Sequence, residues 1–375
     1  MDLCGITDLF EENFTNFGEL GASVCIWYQD KKILNLDDGY QDREKRIPWD
    51  AQSIVLIWSA TKGLASATLL HAVERHGIDL DRRIIDFWPE YGKSGKGATT
   101  FRHVLCHQAG QPALRDTSIS ILDHEAVANQ LANQEPFWAP GTTHGYHART
   151  YGFLLDELVR RITHGETLGH YFTQNIANPL GLRLWIGLSE PIQVAPIHAP
   201  RKARTGSEED EFYDALAEPD SLTRKAFSTP AGLHSPSLMN DPKIREHSLP
   251  SLGGIGSADS LANFYQALGS GRILSADRIQ RIADVQCSGP DQILKVQTAF
   301  GIGFMKDPVV SDRKVREIFG TSFSSFGQPG SGGSLAFFDL ENQLAFAYVM
   351  NQMEPGVFPN AKALRLVRHL YATLP

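Results

Sequence analysis

Apolar positions along the chain change their period several times, and each change marks a different kind of element. Residues 8–17 carry helical spacing. Beyond them the run Ala22-Ser23-Val24-Cys25-Ile26-Trp27-Tyr28 and, after a polar turn at Asp30, Lys32-Ile33-Leu34-Asn35-Leu36 predict two strands of a hairpin. From residue 59 to about 181 the spacing is mostly helical, with loops at 89–99, 108–112 and 138–144. Within it Leu64, Ala65, Ala67, Leu69, Leu70, Ala72 and Val73 make one segment apolar nearly all round, which predicts a buried helix that ends near Gly77 in a left-handed cap. Residues 189–250, rich in Pro, Ser, Asp and Glu, predict an irregular stretch open to motion. Strand patterns return at 298–305, 316–326, 333–338 and 344–351. Helical spacing of Leu364, Val367, Leu370 and Tyr371 follows within 362–371.

Strands at both ends of the chain, separated by a long helical middle, predict an α+β fold with sandwich-like layers. One antiparallel sheet is built from both chain ends and flanked by helices, with a mainly helical lobe inserted. The expected division is a sheet lobe of residues 1–65 and 251–375 and a helical lobe of residues 66–250 that carries the irregular insert. The seam between two such lobes, where Ser59 falls, is a favoured place for a pocket.

With 375 residues, 42% of them hydrophobic and 21% charged, the chain can bury a substantial core. The net charge of −8 is spread rather than blocked and no Lys/Arg stripe interleaves with aromatics, so nucleic acid is not an expected partner. Met1-Asp2-Leu3-Cys4-Gly5-Ile6-Thr7-Asp8 has neither a basic nor an apolar targeting region, and no stretch is long enough to span a bilayer. The expected setting is cytoplasmic, without a membrane partner. Cys4, Cys25, Cys106 and Cys287 lie far apart, with no pair at metal-ligand spacing, so free buried thiols are expected.

Candidate chemistry begins at Ser59-Ala60-Thr61-Lys62. Positions three apart share a helix face, so the lysine amine reaches the serine oxygen. A serine becomes a nucleophile beside a base, and lysine serves as that base only when burial or a neighbouring cation keeps its amine partly neutral. Spacing alone does not decide, because Ser311-Asp312-Arg313-Lys314 repeats it among charges, where a solvated turn is expected. Taken by itself, the first copy is also satisfied by a core serine beside a snorkelling lysine. Competing signatures are missing: there is no Gly-x-Ser-x-Gly elbow, and no second histidine follows His124-Glu125. Gly253-Gly254-Ile255-Gly256 and Gly301-Ile302-Gly303 complete no dinucleotide fingerprint and read as turn and strand-packing glycines. His103 and His107, at helical spacing, lack a third metal ligand and take a structural role. No metal or organic cofactor is expected. Two further segments stand out. In 138–152 a Pro140-Gly141 turn precedes a helix expected from about Thr150 through Leu154, Leu155, Leu158 and Ile162, with Tyr146 placed just before it to point into a cleft. Phe326-Gly327-Gln328-Pro329-Gly330-Ser331-Gly332-Gly333-Ser334 precedes an alternating strand.

Together and in this order, the three segments resemble the serine β-lactamase and penicillin-binding-protein superfamily, and most closely its family VIII carboxylesterase branch. Supporting stretches run from Gly77-Ile78-Asp79-Leu80-Asp81 through His103-Val104-Leu105-Cys106-His107 and Pro179-Leu180-Gly181-Leu182 to Tyr348-Val349-Met350-Asn351. By that resemblance Ser59 is the acylated nucleophile, Lys62 its base partner and Tyr146 the third catalytic group. The Lys62 ammonium would lower the tyrosine pKa, and either the phenolate or the neutral amine would take the serine proton. Backbone N–H groups of Ser59 and Ser331 would hold the oxyanion, and Gln328, Gly330, Trp138 and His147 would complete the substrate-binding surroundings. Two departures matter. Ala148 stands where the superfamily usually carries asparagine, a form similar to the esterase branch. Gln328 stands where β-lactamases carry lysine and many of these esterases carry histidine, so no cation is offered to a substrate carboxylate. The resemblance therefore implies a serine hydrolase whose partner is a small-molecule ester, neutral and with a small or medium acyl group. Beside it stand a β-lactamase or D-aminopeptidase, an acyltransferase, and a non-catalytic binding module that retains the fold.

Overall fold

Gln29 and Asp30 both adopt positive φ, 49° and 62°, and this left-handed pair closes the tight turn between strands Gly21–Tyr28 and Lys31–Gly39. The computed structural model describes residues 1–201 and 208–375. In it Gly21–Tyr28 also pairs antiparallel with Leu344–Met350, Ala22 opposite Met350 and Tyr28 opposite Leu344, so strands from the two ends of the chain lie side by side in one sheet. Among the described residues that sheet has eight strands, in the order Lys31–Gly39, Gly21–Tyr28, Leu344–Met350, Leu335–Asp339, Ser325–Pro329, Met305–Lys306, Gln297–Phe300 and Cys287–Pro290. Every pairing in it is antiparallel.

Neighbouring residues on a strand point to opposite faces, and Phe337 and Phe338 show what covers each one. Phe337 stacks on Tyr371 of helix Ala361–Ala372 at 6.4 Å, while Phe338 fills the space beside Gly269 of helix Ala258–Gly269, where a Cβ would stand 2.1 Å from its ring. Helices thus lie on both faces, and the inner strands Leu335–Asp339 and Leu344–Met350 read as nearly continuous apolar runs because both their faces are buried. In the helical part, Thr61–Arg75 is buried on almost every side and packs against Thr150–Thr163 and Leu168–Phe172. It ends as expected: Gly77 has φ +64°, its N–H donates to Glu74 O, and the Ile78 N–H donates to Val73 O. A second sheet of three strands, Val55–Leu56, Gly254–Gly256 and Leu184–Ile186, leads the chain into that helix.

Several expectations are corrected. Only Ser325 onward is strand in 316–326, because the N–H groups of Ile318 and Phe319 donate to the Asp307 carboxylate at 3.0 and 3.1 Å rather than to a neighbouring strand. The strand expected over 298–305 is interrupted between Phe300 and Met305, where Gly303 turns the chain with φ +81°. The stretch 189–250 is not irregular throughout. Ser221 and Asp241 cap the short helices Leu222–Ser228 and Pro242–Arg245, and Asp210–Ala217 is also helical; residues 202–207 of that stretch lie outside the described residues. The N-terminal helix starts earlier, at Leu3, because the Asp2 side chain accepts from the Gly5 N–H. All four cysteines are free, but Cys4 is exposed and Cys287 partly so, and burial pushes the Cys25, Cys106 and Cys287 thiols up. Among the described residues no helix is long and apolar enough to cross a membrane.

Candidate active site

Ser59 sits in a single 3₁₀ turn, Trp58–Ala60, that runs directly into helix Thr61–Arg75. Trp58, just before it, holds a left-handed φ of +51°, an uncommon conformation for a large side chain that turns the chain sharply from the short sheet into the helix. Strand Gly254–Gly256 pins the turn from both sides. Gly254 O accepts from the Ile57 N–H at 2.9 Å, and the Gly254 N–H donates to Thr61 Oγ1 at 2.8 Å. A Cβ on Gly254 would lie 2.5 Å from that Oγ1, so the close approach needs glycine. Being at the start of its helix, Ser59 has an N–H without an intrahelical acceptor.

Lys62 has no solvent exposure. Its Nζ lies 3.2 Å from Ser59 Oγ and 2.8 Å from each of the backbone oxygens of Ala148 and Ser251. No carboxylate pairs with it among the described residues, and burial alone drives the amine well below the usual lysine range. The repeated spacing at Ser311 behaves otherwise. Ser311 and Asp312 form an exposed turn, φ 50° and 61°, but Lys314 is not solvated: its Nζ lies 3.2 Å from Asp307 and donates to Gly320 O. One lysine is paired with a carboxylate, the other only with a hydroxyl and two backbone oxygens.

Tyr146, 3% exposed, presents its ring face to Lys62 Nζ, 4.7 Å from the centroid, and lies against the His107 ring at 5.0 Å. Its hydroxyl accepts from Gln328 Nε2 at 3.3 Å. Burial pushes the phenol above its ordinary range, offset in part by hydrogen bonding. The lowering expected from a lysine ammonium is absent: the amine faces the ring rather than the oxygen, and burial favours its neutral form. Ala148, where asparagine was the usual residue, contributes through its backbone oxygen.

The loop that carries Tyr146 is held by groups that sequence reasoning passed over. Asp291, 2% exposed, accepts from the N–H groups of Tyr146 (3.0 Å), Ile293 (2.8 Å) and Leu294 (2.9 Å) and from Thr298 Oγ1 (3.0 Å). As one aspartate in a Gly-Pro-Asp-Gln turn it carries no signal pointing to Tyr146. His147, expected at the substrate, has both ring nitrogens hydrogen-bonded to the backbone. Its Nε2 accepts from the Gln111 N–H at 3.0 Å, its Nδ1 donates to Gly145 O at 2.7 Å, and burial pushes it down to about 3. His107 Nδ1 accepts from the His147 N–H, and His103 Nδ1 accepts from the Thr100 N–H in a helix cap, so each has one ring nitrogen committed to the fold.

On the strand side, Gln328 is buried at 2% exposure at the end of Ser325–Pro329, beside Tyr146. Gly330 brings that strand end onto the serine turn, since a Cβ there would stand 2.3 Å from Ile57 O. Ser331, partly exposed, follows it. Trp138 is partly buried against the loop, edge-on to His147 at 5.8 Å. Cavities of ≈ 520 and ≈ 510 Å³ elsewhere include none of Ser59, Lys62, Tyr146 or Gln328 in their walls, so it is chemistry rather than cavity size that marks this site.

Residues 10–370 match the family model described as Beta-lactamase. The chain is 29% identical over 346 residues to Esterase/beta-lactamase LipL of Mycobacterium tuberculosis, covering 89% of this chain and 77% of that protein. Among solved structures it is similar to a family VIII carboxylesterase, at 30% identity and TM-score 0.85 over 98% of this chain and 96% of the other. It is equally similar in fold to a penicillin-binding protein homologue from Caulobacter crescentus, at 29% identity and TM-score 0.85 over 99% and 97%.

Proposed function

The chain belongs to the beta-lactamase family, and on that premise we propose that it is a serine hydrolase cleaving neutral carboxylic esters through an acylated Ser59. The observation that carries the reading is the set of contacts around the Lys62 amine. A neutral amine has two N–H groups and one lone pair. The carbonyls of Ala148 and Ser251 take the two donors, which leaves the lone pair for the Ser59 proton at 3.2 Å. Lys62 is therefore the immediate base, and the buried, protonated Tyr146 is the group that hands a proton on.

Acylation then proceeds in balance. Ser59 Oγ bonds to the ester carbonyl carbon as its proton passes to Lys62. The oxyanion lies between the N–H groups of Ser59 and Ser331, brought together by the close approach at Gly330. The C–O bond to the leaving alcohol breaks as Tyr146 donates its proton to that oxygen, and the Lys62 proton returns to Tyr146 through the water that takes the alcohol's place. Water enters where the alcohol left and the same steps run in reverse, releasing the acid and Ser59.

Neutral substrates follow from Gln328, a buried amide without positive charge to attract a carboxylate. The Ser59→Ala variant tests the reading on a chromogenic short-chain ester, with a loss of at least about 10³-fold expected. Mass spectrometry after a serine-directed phosphonate should place the adduct on Ser59; full activity in the variant, or no adduct, overturns the reading. The relative named Esterase/beta-lactamase favours slow β-lactam turnover as a second activity of the same serine. Rates on an ester, a cephalosporin and a D-amino-acid amide, side by side, separate these.

A further inference from the structure

Helix Phe101–Leu105 ends in a cap whose left-handed position is filled by histidine rather than glycine. The His107 N–H donates to Val104 O at 3.2 Å and the Gln108 N–H to His103 O at 2.7 Å, while His107 itself takes a φ of +58°. A Cβ disfavours that conformation, so the cap alone would be better served by glycine, and the use of the side chain lies elsewhere. Its ring, 3% exposed, packs against Tyr151 at 4.4 Å, Phe300 at 4.7 Å and Tyr146 at 5.0 Å.

Successive N–H groups of the Tyr146 loop end on His107 and Asp291. The Gly145 N–H donates to His107 O at 3.1 Å, the Tyr146 N–H to the Asp291 carboxylate at 3.0 Å, and the His147 N–H to His107 Nδ1 at 3.0 Å. A backbone N–H only donates, so Nδ1 carries no hydrogen and the imidazole is the neutral tautomer protonated at Nε2. Burial, first of all, keeps it neutral by pushing it well below the usual histidine range.

We propose that His107 is a positioning residue for Tyr146: its carbonyl and its Nδ1 fix the peptide units on either side of the tyrosine, and its ring backs the phenol ring that faces the Lys62 amine. Without that Nδ1 acceptor the loop shifts, and the hydroxyl leaves its place 3.3 Å from Gln328 Nε2. A displacement of about 1 Å at a reacting group costs up to about 10²-fold in rate. The inference rests on the reading of Tyr146 as the group that hands on a proton, and adds what holds it there.

Two variants that branch alike at Cγ test it. His107→Asn and His107→Leu both lose the ring, but only asparagine puts an acceptor, Oδ1, where Nδ1 stands, and it also tolerates the left-handed conformation. With a chromogenic ester and the folded fraction checked by circular dichroism, kcat of His107→Leu should fall about 10- to 100-fold with KM within about 3-fold of wild type, and His107→Asn should exceed it at least about 5-fold. In a Tyr146→Phe background the two variants should become equal, whereas a merely structural histidine would leave their ratio the same in both backgrounds. If the leucine variant does not fold, His107→Gln replaces it, because its amide reaches one bond past the His147 N–H. Equal kcat in the asparagine variant and its comparator, or a ratio unchanged without the Tyr146 hydroxyl, overturns the proposal. Phosphonate labelling and Tyr146→Phe alone separate the two failures. A wild type that does not label on Ser59, or a Tyr146→Phe variant as active as wild type, removes the site reading and this role with it. Normal labelling and a large loss in Tyr146→Phe, with indistinguishable His107 variants, remove only the role of His107.

Discussion

Replacing Lys62 by Met keeps an unbranched side chain in the same space and removes the amine, which makes the protonation state of Lys62 measurable as stability. The wild-type amine has no exposure, and burial holds it well below its ordinary value. Between that depressed native pKa and the unfolded value of about 10.4, the unfolded chain carries a proton here that the native chain lacks. Stability of the wild type therefore rises with pH in this window, with a slope approaching about 1.36 kcal/mol per pH unit, or about 2.7 kcal/mol over two units. Below the window both states are protonated and the full cost of burying the charge is present; above it both are neutral and the cost is gone. The Met variant has no such proton. Its loss of a donor to the Ala148 and Ser251 carbonyls costs roughly 1–3 kcal/mol for each group left unpaired, but that offset is the same at every pH. Urea unfolding of both proteins at matched pH values, with equal m, should give a difference that moves in favour of the wild type as pH rises. The acid limb of kcat/KM on an ester should have its midpoint where that movement begins. A difference that stays flat across the alkaline range would mean that Lys62 is an ordinary cation, and the neutral-base mechanism would fall.

Tyr146→Phe keeps the ring against His107 and Lys62 and removes the hydroxyl. Steady-state assays should show kcat down by about 10²–10⁴-fold with KM nearly unchanged, and comparable kcat would remove Tyr146 from the proton path. Gly330→Ala puts a Cβ 2.3 Å from Ile57 O, so the strand and the serine turn must part; denaturation should show a loss of about 1–3 kcal/mol together with a fall in kcat. Asp291→Asn leaves an NH₂ group facing N–H donors now met by a carboxylate. A stability loss of roughly 3 kcal/mol and a fall in kcat are expected, and a variant as stable and active as wild type would show that the Tyr146 loop does not depend on this anchor.

The helix that follows Ser59 was legible because its evidence is local: a wholly apolar face pattern, a glycine cap, and serine and lysine one turn apart. The terminal strands were legible for the same reason, their apolar runs being continuous. What stayed hidden depends on atoms distant in the chain. Ala148 and Ser251, 86 and 189 positions from Lys62, act through carbonyls that any residue possesses. Asp291, 145 positions from Tyr146, looks like an ordinary turn aspartate. His147 drew attention by its chemistry, yet its ring is committed to Gln111 and Gly145. The two Ser-x-x-Lys copies make the point most directly: the same four-residue spacing yields an ion pair with Asp307 in one place and an unpaired amine in the other.

By itself the sequence determined the periodicities that build the sheet from both chain ends, the order of the three chemical segments, and the presence of a neutral amide at Gln328. The tertiary structure alone decided that the Lys62 amine is buried against the carbonyls of Ala148 and Ser251 with no carboxylate paired to it among the described residues, and that Tyr146 is buried beside it and Gln328. Backbone period follows from neighbours in the chain, whereas a protonation state follows from desolvation and from the acceptors that folding brings within 3 Å.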